Sequence, residues 1–234
     1  MTDRLNTRAF ADRHEAGNVL ASRLRHYAGR PDVVVLALPR GGVPVAFEVA
    51  KALRAPLDIF VVRKLGVPMH RELAMGAIAS GNVRVLNKDV IDWYRISERA
   101  IEDAVREESR ELERGEREYR QGRPLIDLHG RTVILVDDGL ATGSTMRAAV
   151  LAVRHHGPAR VVVAVPVGAP STCEEFADIS DETVCVRTPE PFSAVGQWYA
   201  DFTQTTDDEV RALLREHAER LAVPGRRPSA ITRS

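Results

Sequence analysis

The stretch VILVDDGLATGST, from Val133 to Thr145, holds the residues whose types and order best suit chemistry. Two adjacent carboxylates, Asp137 and Asp138, follow an apolar run, and a short turn rich in glycine and hydroxyl side chains comes after them. Carboxylates repel phosphate but bind sugar hydroxyls or hydrated Mg²⁺, whereas hydroxyl groups and free backbone N–H groups bind phosphate. The order therefore predicts a site for a phosphorylated sugar, with its hydroxyls at the acids and its phosphate at the turn.

The elements around this stretch place its polar residues at one end of a strand. Residues Val133 to Val136 are apolar without alternation, which is typical of a strand covered on both faces in a parallel sheet. The run MRAAVLAVRHH predicts a helix that ends at Gly157 and Pro158, so TGST lies at a helix amino terminus. There the unpaired N–H groups and the helix dipole favour a dianion. An acidic turn or a simple helix cap explains either half alone, but the combined order is less common.

Two other phosphate-binding patterns are absent from the sequence. No lysine follows Gly143, as a P-loop requires, and no G-x-G-x-x-G follows a predicted strand. The order of apolar strand, paired acids and TGST instead resembles the phosphoribosyl pyrophosphate (PRPP) signature of type I phosphoribosyltransferases. The resemblance implies that Asp137 and Asp138 bind the ribose 2′ and 3′ hydroxyls and hold Mg²⁺ indirectly, together with PRPP. It also implies a 5′-phosphate cradle made of Ala141, Thr142, Gly143, Ser144 and Thr145.

A second turn offers the cation that the first turn lacks. This turn, Pro39 to Gly42, follows a predicted strand from Val33 to Leu38 and carries a guanidinium for oxyanions. By the resemblance, Arg40, Gly41 and Gly42 bind the diphosphate leaving group, often through a strained or cis peptide. An ordinary strand-to-helix turn is the alternative, because an RGG sequence alone is weak evidence.

The segment after the second predicted strand, Leu57 to Val62, is predicted to act as a lid. Arg63 and Lys64 close that strand, and we expect them to join the diphosphate site, since two cations there would otherwise lack partners. The stretch LGVPMHREL that follows is punctuated by Gly66 and Pro68, and the resemblance implies that it shields the reaction from water. A surface loop with incidental charges is the alternative.

Aromatic residues are concentrated in the segment TPEPFSAVGQWYADF, in a chain that is only 5% aromatic. Phe192, Trp198 and Tyr199, with Phe202 beside them, are candidates for an acceptor hood that stacks on a flat base. Packing onto the sheet is the alternative. Hypoxanthine-guanine enzymes usually carry an Asp where this sequence has Ala141, so the resemblance is closer to adenine enzymes. The base itself is left open.

Strands and helices alternate along the chain, which predicts a doubly wound parallel sheet flanked by helices, with a small hood. Residues 97–120 predict an inserted, long and mostly charged helix. Its narrow apolar seam fits either an exposed brace or a partner helix in a homodimer. One domain, residues 1–222, and a disordered tail, residues 223–234, complete the predicted organisation.

The composition argues against several classes of function. With 33 basic and 33 acidic side chains, the 234 residues carry no net charge that favours nucleic acid or an acidic membrane surface. The sequence shows neither a transmembrane-length apolar segment nor a signal-like start, so we expect a cytoplasmic location. Cys173 and Cys185 form no C-x-x-C pair and are expected to be reduced thiols. The seven histidines lack the spacing of a zinc site.

The reaction implied by the resemblance is displacement of diphosphate from C1 of PRPP by a nitrogen atom of a base. We expect Asp137, Asp138, Arg40 and Lys64 to be the catalytic residues and Mg²⁺ to be the cofactor. The partners are then two small molecules, PRPP and a nitrogenous base. A protein of the same fold that senses PRPP or a nucleotide without turnover is the alternative, and hydrolysis of a related phosphate ester ranks last.

Overall fold

The computed structural model describes residues 8–222, and within that range the chain forms two sheets. The strands are β1 (Val33–Ala37), β2 (Leu57–Ile59), β3 (Val62–Val67), β4 (His70–Ala79), β5 (Val83–Leu86), β6 (Thr132–Val136), β7 (Arg160–Val167) and β8 (Glu182–Arg187). The α-helices are α1 (Arg13–Arg23), α2 (Gly42–Leu53), α3 (Lys88–Trp93), α4 (Glu98–Arg120), α5 (Ser144–Arg154), α6 (Pro170–Glu175) and α7 (Asp207–Ala222). The predicted tail, residues 223–234, lies outside the described residues.

The central sheet is parallel and has the strand order β2-β1-β6-β7-β8. Its winding direction reverses between β1 and β6, because β2 lies beyond β1 while β7 and β8 lie beyond β6. A crevice forms outside the carboxyl ends of strands at such a reversal, and ligands collect there. Helices α1, α2 and α7 cover one face of the sheet, and α5 covers the other. The predicted doubly wound fold is confirmed.

The two central strands are almost entirely apolar because both of their faces are covered. All five residues of β1 and all five of β6 are buried. Val35 and Ile134 pack in the layer below α2, whereas Leu36 and Leu135 pack against α5 on the opposite face. The sheet that carries the site is therefore rigid, since the side chains of these strands are fixed by their neighbours.

The predicted extent of the second strand is wrong: β2 ends at Ile59, and the chain enters a second sheet at Val62. There β3 pairs antiparallel with β4, and β4 pairs with β5. A continuous apolar run does not show where a chain leaves one sheet for another. Arg63 and Lys64 therefore lie inside β3 rather than after β2, and the predicted lid is the hairpin of β3 and β4.

The long charged helix is confirmed as α4, which starts where Ser97 Oγ accepts a hydrogen bond from the Ala100 N–H at 3.3 Å. The apolar seam includes Ile101, Leu112 and Tyr119, which are buried against the rest of the same chain. Helix α4 packs on β3 and on α7. These contacts favour the brace interpretation, and the homodimer stays a prediction.

The expectation of reduced thiols is wrong in this structure, where Cys173 and Cys185 form a disulfide. The bond joins α6 to β8, and only 12 positions separate the two residues. The pairing depends on how α6 folds back over the edge strand, which the cysteine spacing does not reveal. Within residues 8–222, no helix is long and apolar enough to cross a membrane.

Candidate active site

The two polar turns that follow β1 and β6 lie against each other. In the parallel register Ala37 pairs with Val136, so both strands end at the same level. A Cβ atom added at Gly41 would lie 2.8 Å from Cγ of Asp138, and one added at Gly42 would lie 2.8 Å from the Val136 carbonyl oxygen. The peptide bond before Arg40 is cis, as the resemblance implied. The Arg40 turn and the aspartate turn therefore face one common cleft.

The two aspartates form a closely supported corner in this cleft. The Asp138 N–H donates to Asp137 Oδ1 at 2.8 Å. Asp138 Oδ2 accepts from Arg13 Nε at 2.9 Å and lies 2.9 Å from Arg13 Nη2. The hydroxyl of Tyr199 donates to the Asp138 backbone carbonyl oxygen at 2.5 Å. Residues more than 50 positions away thus fix both the backbone and the side chain of Asp138.

Burial dominates the electrostatics of this corner. It raises the pKa of Asp137 well above the ordinary value, and the negative charge of Asp138 raises that pKa further. Burial also raises the pKa of Asp138, while the charge and hydrogen bond of Arg13 oppose the rise. Donors or cations that reach these carboxylates favour their ionised forms. The corner is therefore suited to bind hydroxyl donors or a hydrated cation.

The donor chemistry of the corner fits Mg²⁺ only in part. Carboxylate oxygens are the ligands that Mg²⁺ prefers, and the ion commonly takes its remaining oxygens from water and substrate phosphates. Among residues 8–222, no group of three or more His, Cys, Asp or Glu side chains is placed to hold a metal ion. Asp137 and Asp138 could therefore hold Mg²⁺ together with oxygens of a bound substrate, and this role, which the resemblance implied, stays a prediction.

The TGST turn forms an open helix amino terminus. Gly143 has a φ of 68° and immediately precedes α5, and no side chain in the described part of the protein caps this helix. A Cβ atom at Gly143 would lie 2.6 Å from the ring of Phe176. The hydroxyl of Thr172 donates to the Ala141 carbonyl oxygen at 2.7 Å, which ties the turn to α6. The side chains of Thr142, Ser144 and Thr145 belong to exposed residues, so an anion can reach the turn.

The predicted cations approach the same region from separate elements. Lys64 Nζ donates to Ser144 Oγ at 3.2 Å, so β3 reaches the phosphate turn. Arg63 Nε donates to Glu108 Oε2 on α4 at 2.7 Å. A cavity of about 300 Å³ is lined by Arg40, Arg63 and Thr145, among others. The structure thus places the two predicted phosphate-binding regions at one cavity.

A carboxylate of α7 also borders this cavity. Asp207 Oδ1 lies 3.8 Å from Arg40 Nη1 and accepts a hydrogen bond from the Tyr119 hydroxyl at 2.5 Å. Burial, and then the hydrogen bond to Asp207, raise the pKa of Tyr119. Asp207, supported by the neutral Tyr119, therefore holds Arg40 beside the cavity. The sequence gives no signal of the pairing between Tyr119 and Asp207.

Residues 11–187 match the family model of the phosphoribosyl transferase domain. The chain belongs to the phosphoribosyltransferase family. A Mycobacterium tuberculosis protein with the name "Putative phosphoribosyl transferase Rv0571c" is 53% identical over 211 residues, which are 90% of this chain and 47% of that protein. The chain therefore spans about half the length of the curated relatives it matches. The crystal structure of TT1426 from Thermus thermophilus is 42% identical, with a TM-score of 0.80, and the match covers 89% of this chain and 98% of that chain.

The aromatic segment packs on the aspartate turn. A Cβ atom at Gly139 would lie 2.7 Å from Cγ2 of Val195, so the segment touches the turn directly. The ring of Tyr199 is buried, with ring centroids of Phe10 and Phe202 at 5.6 Å and 5.1 Å. Tyr199 thus supports the Asp138 backbone from the core. Phe192 and Trp198 are half-buried beside it, and their stacking on a base stays a prediction.

Sequence reasoning missed Arg13, which is nine-tenths buried and contacts Asp138 across 125 positions. In the sequence it is one of several charged residues in an amphipathic helix, so no local signal separates it from a solvated arginine. Thr172 and Phe176, which support the phosphate turn, were missed for the same reason. Only the folded chain brings these supports to the motif.

Proposed function

We propose that this phosphoribosyltransferase moves the 5-phosphoribosyl group of PRPP to a nitrogen atom of a nitrogenous base and releases diphosphate, with Mg²⁺ as cofactor. The main support is the contact between Gly41 and Asp138, which leaves no room even for a methyl group between the two turns. One pentose can therefore meet hydroxyl-binding carboxylates, an open helix terminus and Arg40 at the same time. Such a substrate carries a phosphate at C5 and a diphosphate at C1.

In this proposal the protein acts by positioning and by electrostatic stabilisation. The bond between C1 and the diphosphate oxygen breaks, a bond between C1 and the base nitrogen forms, and the proton of that nitrogen passes to the released diphosphate or to water. Asp137 and Asp138 hold the ribose hydroxyls, and the N–H groups at the start of α5 hold the 5′-phosphate. Arg40 and Lys64 stabilise the charge on the departing diphosphate. No covalent bond to the protein is needed.

Water must be kept from C1 while the bond to diphosphate breaks. The hairpin of β3 and β4 carries Arg63 and Lys64 and reaches the phosphate turn through the Ser144 hydroxyl. It is therefore placed to cover the substrate. Mg²⁺, when held by the aspartates together with substrate oxygens, supplies further positive charge against the diphosphate.

The acceptor side of the proposal rests on the aromatic segment. Phe192 and Trp198 offer half-buried aromatic surface next to the aspartate turn, which suits a flat base. Ala141 makes a hypoxanthine-guanine acceptor a poor fit by the family resemblance. A homodimer, a role in nucleotide metabolism and a cytoplasmic location belong to the same proposal. The Cys173–Cys185 disulfide counts against that location, because such bonds are rare in reducing compartments.

Calorimetric titration with PRPP and Mg²⁺, followed by diphosphate release across a panel of bases, tests the proposal. We expect Asp138→Asn to weaken PRPP binding by about 1 to 3 kcal/mol, the usual scale for losing a buried charged hydrogen bond. Asp89→Asn, at an exposed position in α3, is the matched control and should bind like the wild type. Binding without diphosphate release for any base would favour a sensor, and absence of PRPP binding would contradict the proposal.

A further inference from the structure

Arg13 belongs to neither polar turn, yet it is the side chain most closely joined to the ribose corner. It lies at the start of α1, and its side chain is only 10% exposed. Its guanidinium contacts Asp138 Oδ2 through both Nε and Nη2, each at 2.9 Å. A buried arginine that contacts one carboxylate oxygen with two nitrogens fixes the position of that oxygen.

We propose that Arg13 is the positioning residue of the ribose corner: it orients Asp138 for the sugar hydroxyl and couples that orientation to the hood. The inference rests on the proposed function, because it concerns how the PRPP site is held. Arg13 acts through Asp138 and need not touch the substrate.

The first argument is that the two oxygens of Asp138 have different surroundings. Arg13 occupies Oδ2, and every side-chain contact described for the Asp138 carboxylate goes to that oxygen rather than to Oδ1. The carboxylate also packs closely on Gly41, since even a methyl group there would collide with it, and Oδ2 is the atom that lies nearest. Oδ1 is thus the atom left available to a hydroxyl donor, and Arg13 determines where it points.

The second argument is the connection from Arg13 to the hood. Arg13 Nη1 donates to the Thr203 carbonyl oxygen at 2.8 Å. Its guanidinium carbon lies 4.0 Å from the ring centroid of Phe202, which is 38% exposed. A displacement of the hood segment that moves Thr203 and Phe202 therefore moves the guanidinium, and with it the carboxylate. Binding of a base under the hood and binding of PRPP at the aspartates are coupled through this one side chain.

Arg13→Gln tests the proposal, with Arg187→Gln as the matched control. Arg187 lies 3.6 Å over the ring of Phe10, which packs against Tyr199, and no contact described for the chain joins Arg187 to Asp138. We expect Arg13→Gln to raise the Kd for PRPP with Mg²⁺ about tenfold or more, the scale of a lost charged hydrogen bond. The Kd for free diphosphate should not change, because that ligand does not reach the ribose corner. Arg187→Gln should leave both constants unchanged.

The conservative variant Arg13→Lys extends the test and keeps a cation in the core if the glutamine variant does not fold. A lysine has one charged nitrogen and cannot bind Asp138 and Thr203 as a fork, so its PRPP affinity should fall between wild type and Arg13→Gln. Equal affinity in Arg13→Lys and wild type would overturn the positioning role. So would equal losses of PRPP and diphosphate binding, which indicate a general collapse, or no loss in Arg13→Gln. If wild type binds no PRPP, the proposed function fails first and this inference falls with it.

Discussion

Gly41→Ala is the substitution that probes the shared cleft most directly. Gly41 has φ of −60° and ψ of −33°, a conformation that alanine adopts freely, so the backbone is not strained. The new Cβ atom would nevertheless lie 2.8 Å from Cγ of Asp138. The effect of the substitution is therefore purely a collision with one carboxylate.

The size of the effect follows from how far that carboxylate must move. Asp138 Oδ2 lies even closer to the new Cβ atom than Cγ does, and heavy atoms pack comfortably at about 3.5 Å or more, so Asp138 has to shift by about 1 Å or more. It cannot do so freely, because Arg13 Nε holds the same oxygen, Oδ2, at 2.9 Å. A misplacement of about 1 Å can cost roughly a hundredfold in rate. We expect kcat/KM for PRPP to fall about a hundredfold in Gly41→Ala.

The assay is diphosphate release at varied PRPP, read beside thermal melting. Gly130→Ala is the control: Gly130 has a φ of 69°, no atom lies within 4 Å of its added Cβ in the described structure, and it precedes β6 at the edge opposite the cleft. That variant should lose stability by about 1 to 2 kcal/mol and keep its activity. Gly41→Ala should instead lose activity and keep its stability. Unchanged kcat/KM in Gly41→Ala would refute the claim that the two turns form one site.

Three further outcomes are expected. Gly143→Ala combines a left-handed φ with a collision at Phe176. Its free energy of unfolding in urea should therefore fall by more than the roughly 1 to 2 kcal/mol expected for Gly130→Ala. An equal loss would show that the collision has no effect on stability. Lys64→Met should weaken binding of free diphosphate by about 1 to 3 kcal/mol, as calorimetry would measure, and unchanged affinity would take Lys64 out of the diphosphate site. Burial lowers the pKa of His217 below 6.5, so the unfolded chain binds the extra proton first and stability should fall as pH drops from about 6.5. The pH dependence of melting should flatten in His217→Gln, and identical slopes would exclude this histidine as the cause.

The sequence could predict the parts of the site that are contiguous in the chain. Val133 to Thr145 combine a buried strand, two acids and a helix start, and each has a local signal. The structure joins this stretch to Arg40 because β1 and β6 are neighbours, which the resemblance implied. Gly143 was predicted to belong to the phosphate cradle, and its φ of 68° explains why a glycine occupies this position.

The supports of the site could not be predicted, because they depend on tertiary contacts. Arg13 reaches Asp138 from a helix that reads as amphipathic, and a buried arginine looks like a surface arginine in sequence. The end of β2 was missed for a similar reason. Its apolar run continues into β3, and the chain leaves the parallel sheet after Phe60, where Val61 pairs with Ser80 from a hairpin closed later in the chain.

A residue elsewhere in the chain controls how the cationic side chains of the proposed diphosphate site are placed relative to one another. Arg40 follows the parallel sheet, whereas Arg63 and Lys64 belong to the antiparallel sheet. Where the chain passes between these sheets, the buried Arg120 donates to the Ile59 carbonyl oxygen at 2.7 Å and to Ser80 Oγ at 3.3 Å. One guanidinium at the end of α4 thus fixes the joint between both sheets. The ribose end of the cleft lies wholly on the parallel sheet and its helices, so changes at this joint act on the diphosphate end first.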